Sequence, residues 1–212
     1  MKKIAALLFA ATCLVSATAL AADQTPATTP ASASGSVAIC ETFYNSMTKQ
    51  VIDIFHDKST VEEQKQRALA NLFLKAVDTD WIGKFVMGRF FKDAKPEEQK
   101  EYLDTYRMYL TGIYVSKFEN DDDSKFQLGD IKLLSIVAKE DNQVAAKTLI
   151  MRKGDPDVHV NYLFLQTDTC QVHDIEIEGV SLLNNQRSEF QALASQSGIR
   201  AVIDTMKKRL AD

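Results

Sequence analysis

The chain has 212 residues, of which 45% are apolar and 25% are charged. Its 29 acidic side chains outnumber its 25 basic ones, and the resulting net charge of −4 argues against nucleic acid or an anionic membrane surface as a standing partner. The length suits one domain that can bury a substantial core.

The N-terminal segment predicts export. Lys2 and Lys3 precede an apolar run, residues 4–20, that is too short to span a bilayer with margin and leads into the small-residue sequence Ala-Leu-Ala at 19–21. We expect residues 1–21 to be a cleaved signal peptide, and loss of its two lysines changes the net charge from −4 to −6. Residues 22–36 are rich in Ala, Thr, Ser and Pro and predict a flexible linker. The folded domain then covers residues 37–212.

Cysteine content fits an oxidising compartment. Cys13 would leave with the signal peptide, so Cys40 and Cys170 remain. Two cysteines permit one disulfide, but the sequence does not report the distance between them. A bridge and two separate thiols both stay open.

Two amphipathic helices are predicted at the start of the domain. Apolar residues recur at helical spacing from about Val37 to His56 and predict the first. The Thr-Val-Glu-Glu sequence that begins at Thr60 predicts a capping box at the start of the second.

Two further helices carry an excess of apolar side chains. The third should begin at Asp78 or Asp80 and stop at Gly88, and the fourth should run from Pro96 to about Glu119. Their aromatic and branched aliphatic side chains must be shielded from water. They form either an oversized core or the wall of a cavity, and composition alone does not separate the two.

After residue 130 the pattern changes to short β-rich runs. Strands are predicted at about 131–139, 144–152, 158–166 and 170–178, and the short loops between them indicate an antiparallel meander. Adjacent apolar residues in the second and third strands predict that both faces of the sheet are partly covered. A helical region interrupted at Gly198 follows from Ser181. The fold class is therefore α+β.

Few residues indicate catalysis. His159 and His173 lie on adjacent predicted strands, but the sequence supplies no third ligand, so we expect no metal site. Asp174, Glu176 and Glu178 alternate on the last strand and share one face. They form either a water-facing edge or, if burial raised a pKa, a proton-transfer site.

Two blocks resemble a known family. The first is Phe-Val-Met-Gly-Arg-Phe-Phe at 85–91 with Ala-Lys-Pro-Glu-Glu-Gln at 94–99, and the second is Asp-Ile-Glu-Ile-Glu-Gly-Val-Ser-Leu at 174–182. Together they resemble the MlaC, or toluene-tolerance, family of periplasmic phospholipid-binding auxiliary proteins of ABC transport systems. The resemblance covers essentially the whole mature chain.

The resemblance implies a nuclear-transport-factor-like fold. A curved antiparallel four-stranded sheet would be wrapped by N-terminal and C-terminal helices around an apolar lipid cavity. The residues expected to contact lipid lie on the third and fourth helices, on the sheet and just after it: Phe85, Val86, Phe90, Phe91, Leu103, Tyr106, Leu110, Tyr114, Leu149, Met151, Tyr162, Phe164, Ile175, Ile177 and Val180.

The same resemblance implies a monomeric periplasmic carrier and no enzyme. Phospholipid would be cargo and no cofactor would be needed. The carrier would move lipid between an outer-membrane lipoprotein–porin complex and the substrate-binding ring of an inner-membrane ABC transporter, and so maintain outer-membrane lipid asymmetry. The alternatives are a hopanoid-associated lipid carrier, and an enzyme on the same fold with Asp174 or Glu176 as base and Tyr162 as acid.

Overall fold

The computed structural model describes residues 31–115, 128–152, 156–166 and 169–211. The helices before the sheet are α1 (Ala31–His56), α2 (Glu62–Ala76), α3 (Thr79–Met87), α4 (Arg89–Lys92) and α5 (Pro96–Val115). The sheet consists of β1 (Leu128–Ala138), β2 (Gln143–Arg152), β3 (Val158–Gln166), β4 (Cys170–Ile177) and β5 (Val180–Ser181), and α6 (Leu182–Ala211) follows. The predicted α+β class is confirmed, and no described helix is long and apolar enough to cross a membrane.

Some predicted segments differ from the structure or lie beyond it. The signal peptide, residues 22–30 of the linker and residues 116–119 of the fourth helix lie outside the described residues. Residues 31–36, predicted as linker, instead form the first turns of α1. Alanine has the highest helix propensity, and the Ser36 hydroxyl contacts the Gln166 side chain on β3, which ties this end of the helix to the sheet.

The predicted capping box at Thr60 is wrong. Helix α2 starts later, and its N-cap residue Val61 makes no side-chain cap bond. The Thr60 and Ser59 hydroxyls donate to the Asp57 carboxylate instead, so the connection between α1 and α2 is a self-contained turn. This competing acceptor lies N-terminal to the helix, where the pattern of the capping box gives no indication of it.

The starts and stop of the next helices follow the sequence. The Asp78 side chain accepts a hydrogen bond from the Trp81 backbone N–H at 3.0 Å and caps α3. Gly88 ends α3 with a φ of +55°, a conformation that favours glycine. At the start of α5 the Lys95 N–H donates to the Glu98 carboxylate at 3.2 Å. That carboxylate performs half of a capping box although Lys95 has no hydroxyl for the other half.

The sheet is antiparallel throughout, with strand order β1-β2-β3-β4-β5. It has five strands where four were predicted, because β5 is two residues long and too short for a period-two pattern to reveal. Register shifts in the β1–β2 pair and between Leu163 and Phe164 mark irregularities of the kind that bend strands.

Helices α3, α5 and α6 form a packed core beside the sheet. Tyr102, Tyr106 and Phe190 are fully buried, and the two tyrosine rings stack with centroids 5.5 Å apart. The Tyr102 hydroxyl donates to the Gly83 carbonyl and the Tyr106 hydroxyl to the Gln186 side chain. The apolar excess of the third and fourth predicted helices is thus covered largely by α6, so it is mainly a core.

A disulfide joins Cys40 on α1 to Cys170 at the start of β4, with 5.3 Å between the two Cα atoms. Both residues are buried. The sequence had left open whether the two cysteines are bridged, and the structure shows the bridge. It attaches α1 covalently to a strand 130 residues later in the sequence.

Removing this bridge should destabilise the fold. In a Cys40→Ala/Cys170→Ala variant we expect the free energy of unfolding to fall by about 4 kcal/mol, because a closed loop of this length removes much entropy from the unfolded chain. Urea unfolding with and without reductant measures the effect. Reductant should lower the midpoint of the wild-type protein and leave the variant unchanged. Equal midpoints for wild type and variant would contradict the assignment.

Candidate functional site

A cavity of about 390 Å³ lies between the α1–α2 pair and one face of the sheet. Its helical wall consists of residues on one side of α1 and α2: Phe43, Tyr44, Met47, Thr48, Val51, Leu69, Leu72, Phe73 and Ala76. Its sheet wall consists of residues from β1 to β4: Ile131, Ile150, Val158, Val160, Tyr162, Phe164, Val172, Ile175 and Ile177. Val77 and Leu182 complete the lining, and none of these twenty residues is charged.

The cavity has a closed end and an open end. At the closed end Phe164 is 1% exposed and pairs with Val172, which is also buried. At the other end Ile177 is 37% exposed and pairs with Val160. Val158 is the next inward-facing residue of β3 toward this end. The β3 wall from Phe164 to Val158 therefore runs from the closed end to the open one over about 20 Å, at roughly 3.3 Å per residue.

Two ties hold α1 over the sheet along this wall. The Cys40–Cys170 disulfide lies at the closed end. One helical turn further along, the Tyr44 hydroxyl forms a hydrogen bond of 2.9 Å with the Thr148 hydroxyl on β2. Both hydroxyls are buried, and each serves as the hydrogen-bond partner of the other. The bond therefore fixes the distance between α1 and the strands, although the space next to it is not filled by side chains.

Four of the fifteen residues expected to contact lipid line this cavity: Tyr162, Phe164, Ile175 and Ile177. They occupy alternate positions on β3, and inward positions on β4, as the period of a strand requires. Leu110 lies nearby, on the border of a smaller space of about 30 Å³ that shares Phe73, Val77 and Val172 with the cavity.

The structure places the other expected residues away from the cavity lining. Val86 and Tyr106 are fully buried in the helical core, and Phe90, Phe91 and Leu103 pack against that core. Whether any of these five contacts cargo stays a prediction. The physical reason for their position is that α6 supplies the apolar cover they need.

Four further expected residues also lie outside the cavity lining. Phe85 stacks on Trp81 with ring centroids 5.1 Å apart, and Val180 is 58% exposed. Leu149 and Met151 flank the cavity residue Ile150, so they point to the opposite face of the sheet. The side chain of Tyr114 lies outside the described residues.

The sequence interpretation missed the helical wall. Phe43, Tyr44, Met47 and Val51 belong to the stripe that predicted the first helix, and Leu69, Leu72, Phe73 and Ala76 to that of the second. The pattern gave the helices and their apolar faces. It did not indicate that these faces border open space.

The carboxylates considered as bases have structural partners. Asp174 is buried and accepts hydrogen bonds from the Ser181 hydroxyl at 2.6 Å and from the Leu183 N–H at 3.0 Å, so it fixes the start of α6. Glu176 accepts from the Asn161 side chain at 3.1 Å. Tyr162 pairs with Ile175, so these carboxylates alternate onto the face opposite the Tyr162 ring. The arrangement does not bring the proposed acid and base together.

The two strand histidines are separate from each other. His173 is buried under Trp81, with ring centroids 4.2 Å apart and its Nε2 atom 3.6 Å from Asp78. Burial lowers the pKa of His173, and the Asp78 carboxylate opposes that shift. His159 is exposed on β3. The described part of the chain contains no group of three side chains suited to a metal ion.

The family model of the MlaC protein matches residues 45–208, which include the C-terminal part of α1, helices α2 to α5, the described strands and most of α6. The chain belongs to the MlaC family. Its fold is similar to the solved structure of a phospholipid-binding protein from Ralstonia solanacearum in complex with a phospholipid, with a TM-score of 0.64 at 19% identity. The alignment covers 83% of this chain and 97% of that one. The likeness at this identity establishes the fold.

In this MlaC-family chain the buried Asp174 should act through stability. We expect Asp174→Ala to lower the free energy of unfolding by about 1–2 kcal/mol, since it removes the carboxylate that accepts from the Leu183 N–H and the Ser181 hydroxyl at the start of α6. Asp174→Asn should cost less, because asparagine can also accept these bonds. Urea unfolding of both variants measures the difference, and equal stability for wild type and the alanine variant would exclude the capping role.

A large side chain introduced into the cavity lining should reduce lipid uptake. Val160 is buried in the lining, whereas Leu163 faces the other side of β3. We expect Val160→Trp to weaken capture of a lipid by about tenfold or more, because the larger side chain fills cavity space and leaves less apolar area for an acyl chain to bury. Leu163→Trp is the matched control, the same new side chain on the opposite face, and should keep capture near the wild-type level. Vesicle-uptake assays on both folded variants decide, and equal losses would contradict the assignment of the cavity.

Proposed function

We propose that this protein is a periplasmic phospholipid carrier. It accepts a phospholipid from an outer-membrane lipoprotein–porin complex and delivers it to the substrate-binding ring of an inner-membrane ABC transporter, which maintains outer-membrane lipid asymmetry. The observation that carries the proposal is the cavity: none of its described lining residues is charged, and it is closed at one end. Family membership, the phospholipid in the related Ralstonia structure and the expected signal peptide support it.

The free energy of lipid transfer explains why such a cavity is needed. A diacyl lipid carries on the order of 30 methylene groups, and exposing each to water costs about 0.8 kcal/mol, so free diffusion through water would cost over 20 kcal/mol. A cavity about as apolar as a bilayer makes the transfer nearly neutral. The direction of transport must then come from the donor and acceptor complexes.

The volume of the cavity matches one acyl chain. An apolar cavity of about 150 Å³ holds benzene, or roughly 25 Å³ per carbon atom. By that measure 390 Å³ accommodates about 16 carbon atoms. The wall length of about 20 Å also exceeds the roughly 15 Å thickness of one leaflet's hydrocarbon layer. A second chain requires α1 and α2 to move away from the sheet, or it stays at the open end near Ile177.

The uncharged character of the twenty described lining residues separates a carrier from the enzymatic alternative. Proton transfer needs a titratable group that reaches the bound molecule. Asp174 and Glu176 lie on the other face of β4 and already serve as hydrogen-bond acceptors. The surface of the described lining residues is almost entirely hydrocarbon and is therefore complementary to an acyl chain.

The direct test is to identify bound lipid. The purified protein should release phospholipid on extraction with organic solvent, detected by mass spectrometry, and the lipid-free protein should take up phospholipid from vesicles. An extract without lipid, together with no uptake from vesicles, would reject the carrier function. An extract that contains a fused-ring hopanoid and no phospholipid would favour the hopanoid-associated alternative.

A further inference from the structure

The cavity wall carries a phenol that the protein leaves unsatisfied. Among the described residues, the Tyr162 hydroxyl has no hydrogen-bond partner. Every fully buried side-chain nitrogen or oxygen in those residues does have a partner, so the Tyr162 hydroxyl is not fully buried. The hydroxyl therefore opens onto the cavity that its ring lines. Because a polar group in apolar surroundings costs free energy unless it is hydrogen-bonded, this position favours a ligand that supplies the partner.

In the structure the neighbouring hydroxyls are not that partner. Tyr44 and Thr148 are bonded to each other at 2.9 Å, and both are buried. The Tyr162 ring is held between two aromatic neighbours, edge-to-face on Tyr44 at 6.0 Å and stacked with Phe164 at 6.3 Å. Its hydroxyl is thus presented from a fixed ring, and little conformational freedom would be lost when a ligand binds.

The phenol is a neutral donor. Burial, with a smaller contribution from the Tyr44 phenol, raises the pKa of Tyr162 to about 12, so its proton is retained at neutral pH. Among the described residues, the lining contains no charged side chain to balance an ionic group. The matching ligand group is therefore a neutral acceptor, since a carboxylate here would be buried without a counter-charge.

The depth of Tyr162 indicates which part of a lipid it meets. Along β3 it lies four residues, about 13 Å, from Val158 near the open end, and two residues from Phe164 at the closed end. A charged headgroup stays in water at the open end. The atom next to Tyr162 then belongs to the part of the cargo that enters the cavity.

We propose that Tyr162 is a specificity-determining residue whose hydroxyl donates a hydrogen bond to a neutral oxygen, a carbonyl or a hydroxyl, on the acyl portion of the cargo. This inference rests on the proposed carrier function. The oxygen has two possible sources: the ester carbonyl that joins the chain to glycerol, or an oxygen borne by the chain itself. In either case the cavity prefers oxygen-bearing acyl ligands to equally long ones without that oxygen.

Two matched pairs of single-chain probes test the inference on the delipidated mature protein by titration calorimetry. The first pair is palmitoyl-lysophosphatidylcholine and its O-hexadecyl ether, which lacks the carbonyl. The second is stearoyl-lysophosphatidylcholine and its mid-chain hydroxystearoyl counterpart. In one pair we expect the oxygen-bearing member to bind about 5- to 30-fold more tightly, the range for one buried neutral hydrogen bond. The pair that shows the difference identifies the source of the oxygen.

The variants isolate the hydroxyl. Tyr162→Phe keeps the ring and its contacts with Tyr44 and Phe164, and it should reduce the affinity ratio of the responsive pair to about one. Tyr109→Phe is the matched control, because it removes a hydroxyl that bonds Arg209 outside the cavity, and it should keep the wild-type ratio. Thermal unfolding confirms that both variants are folded.

The outcomes separate this inference from the function on which it rests. If the wild-type protein binds all four probes but does not distinguish the members of either pair, Tyr162 does not select the cargo, and lipid binding stands. If the affinity ratio of the responsive pair is unchanged in Tyr162→Phe, Tyr162 likewise does not select the cargo, and lipid binding stands. If the wild-type protein binds none of the probes and takes up no phospholipid from vesicles, the carrier function fails as well.

Discussion

The cavity depends on α1 being held above the sheet at a fixed height. The disulfide from Cys40 to Cys170 sets this height at the closed end, and the Tyr44–Thr148 hydrogen bond sets it near the middle. Neither tie needs a packed layer of side chains around it. Apolar faces normally collapse onto each other until interior density is reached. Here a covalent bond and a buried polar contact fix the spacing, and the space between the faces remains.

The helical half of the protein shows the opposite outcome for similar side chains. The rings of Tyr102, Tyr106 and Phe190 are as apolar as that of Phe43 on α1, which is only partly buried, yet these three are fully buried and pack against one another. The difference lies in the partner element. Helix α6 brings Phe190, Ile203 and Met206 into direct contact with the core. The helical part is therefore a packed core, and the part between α1, α2 and the sheet encloses the cavity.

Local signals in the sequence predicted most of the fold. The strand runs were bounded by short turns, Gly88 was the predicted end of the third helix and Asp78 a predicted start, so the element order followed from neighbouring residues. The capping box failed at Thr60 because Asp57, outside the motif, competes for the hydroxyl. Strand β5 was missed because two residues carry no periodicity. The disulfide could not be derived, since it depends on the distance between residues 130 positions apart.

The site was harder to predict than the fold, for a reason that lies in the hydrophobic effect itself. An apolar side chain gains free energy when it leaves water, and the gain depends on the area removed from water far more than on what covers it. The stripe of Phe43, Met47 and Val51 therefore has the same pattern whether it faces a core or a cavity. The two cases differ in contact with neighbouring atoms, which is a property of the assembled helices and strands. A residue pattern can identify the candidates for a lipid cavity, whereas the polar exceptions within it, such as Tyr162, become informative only once their partners are known.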